Sequence, residues 1–124
     1  MALFIYPHTA EDLSTGSACC AALSLPSPVA WGDDLYEQSI ADLVGQRIPS
    51  ANQRLNTLGA PVIILACVDR EQLAQVLAWY KSQGQWPIFA TLTEQSLKMT
   101  FRELLSHLIQ DRAQEAAARR TKKM

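Results

Sequence analysis

The stretch Val62-Ile-Ile-Leu-Ala-Cys67 decides the fold. It shows none of the apolar–polar alternation of a half-exposed strand, so both faces of the strand it forms should be covered. The residues that follow say by what. Asp69 stands three residues before Gln72, the spacing at which two side chains close a helix N-terminus reciprocally. Leu73, Val76, Leu77 and Tyr80 then recur at helical spacing, and Gly84 sits where a C-terminal cap belongs. Ile88-Phe-Ala-Thr-Leu92 is the next apolar run. Strand, helix and strand in about 30 residues is the β-α-β unit of α/β proteins.

The same grammar extends in both directions. Upstream, Leu3-Phe-Ile-Tyr6 reads as a strand, and Thr9 three residues before Asp12 opens a helix with Leu13, Cys20 and Leu23 aligned and Gly16 interrupting them. Val29-Ala-Trp31 is a second strand. Asp34, three residues before Glu37, announces a second helix that carries Tyr36, Ile40, Leu43 and Val44 and closes at Gly45. Downstream, Thr100 and Glu103 open the last helix, with Met99 and Leu104 placed as a hydrophobic staple and Phe101, Leu105 and Leu108 along the stripe. Pro7, Pro28, Pro61 and Pro87 stand at strand ends, where a missing N–H is tolerated.

Residues 1–45 and 61–110 thus repeat one order of elements, though not the same residues. Between them Gln46–Gly59 is polar and has room for a short helix anchored by Ile48, Leu55 and Leu58. The expected architecture is a small three-layer α/β sandwich of four mostly parallel strands in the order 2-1-3-4, with helices on both faces. The alternative is a ferredoxin-like α+β arrangement with the second and third strands antiparallel. Residues 1–112 make the single domain, and 113–124 a basic, frayed helix end.

Composition bounds the function. A chain of 124 residues, 48% hydrophobic and 19% charged, is one domain able to build a core without metal or disulfide staples. Eleven basic and twelve acidic side chains give a net charge of -1, so no global field draws the protein to nucleic acid or an anionic membrane. The basic cluster of Arg112, Arg119, Arg120, Lys122 and Lys123 has no aromatic side chains between its members and reads as the favourable cationic end of a helix. The apolar run ending at Val68 falls far short of the about 20 residues that cross a bilayer. The first residues lack the basic flank of a signal peptide. Three cysteines, two of them adjacent, make no disulfide framework and suit a reducing cytoplasm.

In a parallel sheet, ligands bind outside the carboxyl ends of the strands. Those ends carry His8, then Asp33 and Asp34, then Cys67 and Asp69, then Thr93. A cleft lined by Asp33, Cys67 and Thr93 is therefore the candidate ligand site, with Cys67 and His8 as its only candidate thiolate and base. The competing reading makes Cys67 a small apolar filler that ends an apolar run. Asp33 and Asp34 do not fit the acidic pair of receiver-type phosphotransfer domains, because they follow the second strand and Asp34 has the spacing of a helix cap. No glycine-rich phosphate loop follows any strand, and no G-x-S-x-G or H-E-x-x-H stretch occurs. No metal or cofactor is expected. Trp79 lies off the apolar stripe of its helix and Trp86 precedes Pro87, so the two are candidates for a partner surface.

The stretch Phe89-Ala-Thr-Leu-Thr-Glu-Gln-Ser-Leu-Lys-Met-Thr-Phe-Arg-Glu-Leu-Leu105 resembles a family of short bacterial domains of unknown function. They end in a strand, a T-x-x-N-x-x-W-T-hydrophobic-x-E-L-L pattern and a long polar helix. Thr93, Thr100, Glu103, Leu104 and Leu105 match, while Ser96 replaces the Asn and Met99 the Trp. The resemblance implies a relative and no activity. The expectation is a cytoplasmic, non-enzymatic interaction or regulatory module with a protein partner or a second copy of itself. The alternative is a small ligand-binding or thiol-dependent enzyme at the strand-end cleft near Cys67.

Overall fold

The computed structural model describes residues 2–46, 55, 56, 58, 60–66 and 69–122. The chain runs β1 (Ala2–Tyr6), α1 (Asp12–Ala22), β2 (Val29–Ala30), a 3₁₀ turn (Asp33–Leu35), α2 (Ile40–Gln46), β3 (Val62–Ala66), α3 (Arg70–Ser82), β4 (Ile88–Thr91), α4 (Glu94–Leu97) and α5 (Phe101–Lys122). The four strands form one sheet in the order β2-β1-β3-β4.

The order is the one expected, but the directions are not all alike. β1 is parallel to β2 and β3 to β4, while β1 and β3 are antiparallel with Phe4 opposite Ile64. The sheet is therefore mixed. The reason lies in the helices. α1 and α3 cover the same face, where Cys19, Cys20, Val76 and Tyr80 pack on Leu3, Ile5, Ile63 and Leu65. Two crossovers of one hand that share a face and lead outward to opposite edges require their first strands to run in opposite directions. The ferredoxin-like alternative needs β2 bonded to β3, and β1 lies between them.

The other face of the sheet carries Phe4, Tyr6, Val62, Ile64, Ile88 and Ala90, covered by Ile40 and Leu43 of α2 and Phe101, Leu104 and Leu105 of α5. Trp31 stacks on Phe4 with ring centroids 4.5 Å apart and meets Phe101 edge-on at 5.1 Å. All five residues of β3 are buried, as its unbroken apolar run requires.

Local chemistry sets the helix ends. Asp69 accepts from Gln72 N (2.7 Å) while Gln72 Oε1 accepts from Asp69 N (3.2 Å), completing the box read from the sequence. Thr100 and Glu103 form a second such box. At α1 only half of it forms: Asp12 Oδ2 accepts from Thr9 N (2.6 Å) and from His8 N (2.7 Å). The expected cap of the second helix is displaced. Asp34 lies in the 3₁₀ turn, and α2 starts behind Ser39, whose Oγ accepts from Asp42 N (3.2 Å). The start is fixed from outside the helix, because Ile40 N donates to Met99 O (2.8 Å) and Phe101 N to Gln38 O (3.0 Å). Gly45 is consequently inside α2, whereas Gly84 takes φ +70° behind α3. Of the connecting segment, Leu58 packs against the core and Leu55 is exposed; Ile48 lies outside the described residues.

Candidate interaction surface

The antiparallel seam between β1 and β3 divides the expected strand-end cleft in two. The carboxyl ends of β1 and β2, with His8 and Asp33, lie at one end of the sheet, and that of β4, with Thr93, at the other. Cys67 lies outside the described residues. Asp33, Thr93 and His8 therefore do not converge on one cleft, and each end is a separate environment.

At the first end, His8 is half-buried, with Nδ1 2.9 Å from the Asn56 carbonyl. Asn56 is 4% exposed and ties the end of β1 to the segment that leads into β3. Its Nδ2 donates to Tyr6 O (2.9 Å) and Ala60 O (3.2 Å), its Oδ1 accepts from Leu58 N (2.9 Å), and its N–H donates to Pro7 O (2.8 Å). Beside it the Tyr6 and Tyr36 hydroxyls meet at 2.6 Å. Burial and the bond to Tyr36 raise the Tyr6 phenol well above its ordinary range. Arg102 lies over the Tyr36 ring at 5.3 Å and pairs with Glu37 at 2.7 Å. These side chains border a 180 Å³ hollow whose other walls include Leu105 and Ile109. Its two hydroxyls engage each other, its amide the backbone of Tyr6 and Ala60, and its guanidinium Glu37 and the Tyr36 ring, so the cluster holds the segments around it in place.

At the second end, Thr93 caps α4, accepting from Ser96 N (3.2 Å). Between β4 and α5 runs a groove of about 340 Å³. Ala90, Met99, Leu104 and Leu108 give it apolar walls, and Thr91, Thr93, His107 and Asp111 a polar rim. The groove adjoins the outer edge of the sheet. Ile88 N donates to Pro61 O (2.8 Å) and Leu92 N to Leu65 O (3.0 Å), so strand alternation turns the N–H and C=O groups of Phe89 and Thr91 away from β3. Nothing among the described residues pairs with them.

The two edges of the sheet differ in their protection. β2 is only two residues long, a device that blunts an edge, while a proline directly precedes each edge strand, Pro28 before β2 and Pro87 before β4. β4 is four residues long and carries no proline or charge. Just ahead of it Trp86 is 70% exposed. The other tryptophan expected at the surface, Trp79, packs against the core beside Tyr80 with ring centroids 5.1 Å apart, so the two do not form one exposed pair.

The thiols of α1 are both buried, including Cys19, whose helical phase points to partial exposure. Burial and the neighbouring Cys20 push the Cys19 thiol up to about 11, and burial raises Cys20, so both stay protonated near neutrality. Among the described residues no group of three or more His, Cys, Asp or Glu could hold a metal ion, and no helix is long and apolar enough to cross a membrane.

Sequence reasoning missed the Tyr6–Tyr36 pair, Asn56 and the open edge of β4. The longer apolar run Ile88–Leu92 beside the short Val29–Trp31 was the signal for the edge; Asn56 sits in a polar segment where nothing distinguishes it from its neighbours.

Comparison with known families bears on the second end. The model of a family described as a domain of unknown function, DUF3783, matches residues 61–114, from the residue before β3 into α5. This segment contains Phe89–Leu105, the stretch that carries the family resemblance. No curated protein and no solved structure matches the chain.

Proposed function

We propose that the protein is a non-enzymatic cytoplasmic interaction module that takes an extended segment of a partner protein along the free edge of β4. One observation carries this reading: a strand edge with which no described residue pairs lies beside an apolar groove, within the segment that matches the family model. Strand addition supplies main-chain hydrogen bonds, and alternate side chains of the added strand drop into an adjoining pocket. Here the bonds come from Phe89 and Thr91, and the groove against Leu104 and Leu108 receives a side chain. Trp86 adds exposed aromatic area, a common anchor at interfaces. The buried, protonated thiols of α1 support packing rather than thiol chemistry, and their free state suits a reducing compartment.

Thr91→Pro tests the proposal. Thr91 is exposed and its N–H faces away from β3, so the substitution removes an edge donor and spares the internal ladder. Peptides selected from a displayed random library against the natural protein are the probe. Binding should shift the amide resonances of Phe89 and Thr91, and Thr91→Pro should weaken it by about tenfold or more with an unchanged melting temperature. Shifts confined to other surfaces, with undiminished binding by Thr91→Pro, would overturn the reading. Concentration-dependent self-association abolished by Thr91→Pro would identify a second copy as the partner.

A further inference from the structure

We infer that residues 2–46 and 62–107 are two copies of one β-α-β-α unit, related by a pseudo-dyad and specialised to pair with each other rather than with themselves. The evidence is a correspondence of individual bonds. At the start of α1, Thr9 N donates to Asp12 Oδ2; sixty residues later, Asp69 N donates to Gln72 Oε1. At the end of α1, Leu23, Ser24 and Leu25 donate to the carbonyls of Cys19, Ala21 and Cys20. Sixty residues later, Gln83, Gly84 and Gln85 donate to those of Trp79, Lys81 and Tyr80. The chain takes a positive φ at matching places, 57° at Ser24 and 70° at Gly84. Ser24 is the only non-glycine among the described residues with positive φ.

Beyond these turns the offset becomes sixty-one, a single-residue insertion in a loop. Trp31 N donates to Ile5 O, and Leu92 N to Leu65 O, closing each parallel pair in the same way. Asp42 N donates to Ser39 Oγ and Glu103 N to Thr100 Oγ1, each at 3.2 Å. With that register in hand, Ser39-Ile-Ala-Asp-Leu-Val44 lies against Thr100-Phe-Arg-Glu-Leu-Leu105, and Glu11, Leu13 and Ala18 against the identical Glu71, Leu73 and Ala78.

Where the copies meet, counterpart meets counterpart, as a two-fold contact demands. Phe4 opposes Ile64 at the centre of the seam. Ser39 bridges to Thr100, with Ile40 N on Met99 O and Phe101 N on Gln38 O. Across the seam on the other face, the copies differ in size. α1 offers Gly16, Cys19 and Cys20 where α3 offers Val76, Trp79 and Tyr80, and the Tyr80 hydroxyl lies 3.5 Å from where a Gly16 Cβ would stand. Two copies of the second unit would bring large side chains together at this point; one large and one small helix fit. The family model covers the second copy, and the first has diverged.

A full-length chimera tests the inference: residues 2–46 are replaced by a second copy of 62–107 that carries V76G, W79C and Y80C. It should fold as a monomer, unfold in one transition, and show pairwise near-coincident amide resonances from its two copies. A chimera that folds in this way supports the duplication, and one that folds without the pairing overturns it. If the chimera does not fold, a cap exchange in the natural chain decides. T9D/D12Q, which transplants the α3 box onto α1, should melt within about 3 °C of the natural protein. Melting as low as D12A would overturn the duplication.

Discussion

At Gly16 an added methyl group would overlap Cδ1 of Ile5, a residue with no exposed surface in a packed cluster. Alanine in a helix interior normally gains about 1 kcal/mol over glycine, whereas overpacking a core costs about 1–3 kcal/mol. The clash should win, so Gly16→Ala is expected to destabilise the protein by about 1 kcal/mol in urea denaturation. Ile5→Val removes the overlapping atom. It should cost about 1 kcal/mol alone and nothing when added to Gly16→Ala, a coupling that a double-mutant cycle reads directly. The same helix shows where single-residue reading stops. Helical phase placed Cys20 inward correctly, but it registers only one packing partner per helix. α1 has two, the sheet and α3, and the second buries Cys19.

Among elements, capping chemistry was the most legible feature. Asp69 and Thr100 cap as their spacing indicates, and Asp69→Ala should cost about 1 kcal/mol of stability measured by chemical denaturation. The signal at Asp34 misled because a spacing is local, while the start of α2 is set by the distant bridge between Ser39 and Thr100. Strand order was readable from the succession of elements. Strand direction was not, because the connection between β2 and β3 is polar and its length permits either sense. That one unread direction puts Asp33 and Thr93 at opposite ends of the sheet, so these two do not share a cleft.

For the molecule as a whole, buried ionisable groups set a limit at high pH. The Cys19 and Cys20 thiols and the Tyr6 and Tyr80 phenols are all raised, chiefly by desolvation. Their neutral forms belong to the fold and their ionised forms to the unfolded chain. The unfolded state therefore releases protons first, and stability falls as pH rises through the ordinary thiol range of about 8.5–9 toward the Cys19 value of about 11. Below that range the contribution is fully present. Melting temperatures measured from pH 8 to 11 should decline from about pH 9, and Cys19→Ala/Cys20→Ala should make the decline between pH 9 and 10 shallower.

The antiparallel seam has a consequence for how the chain is made. Tyr6 must find Val62 and Ala2 must find Ala66, so β1 leaves the ribosome long before the strand that will flank it exists. At about 5–20 residues per second the wait lasts some seconds. Through that interval Leu3, Phe4, Ile5 and Tyr6, all buried in the finished protein, present an open edge and an apolar surface. The first half of the chain thus remains an incomplete sheet until β3 has been made.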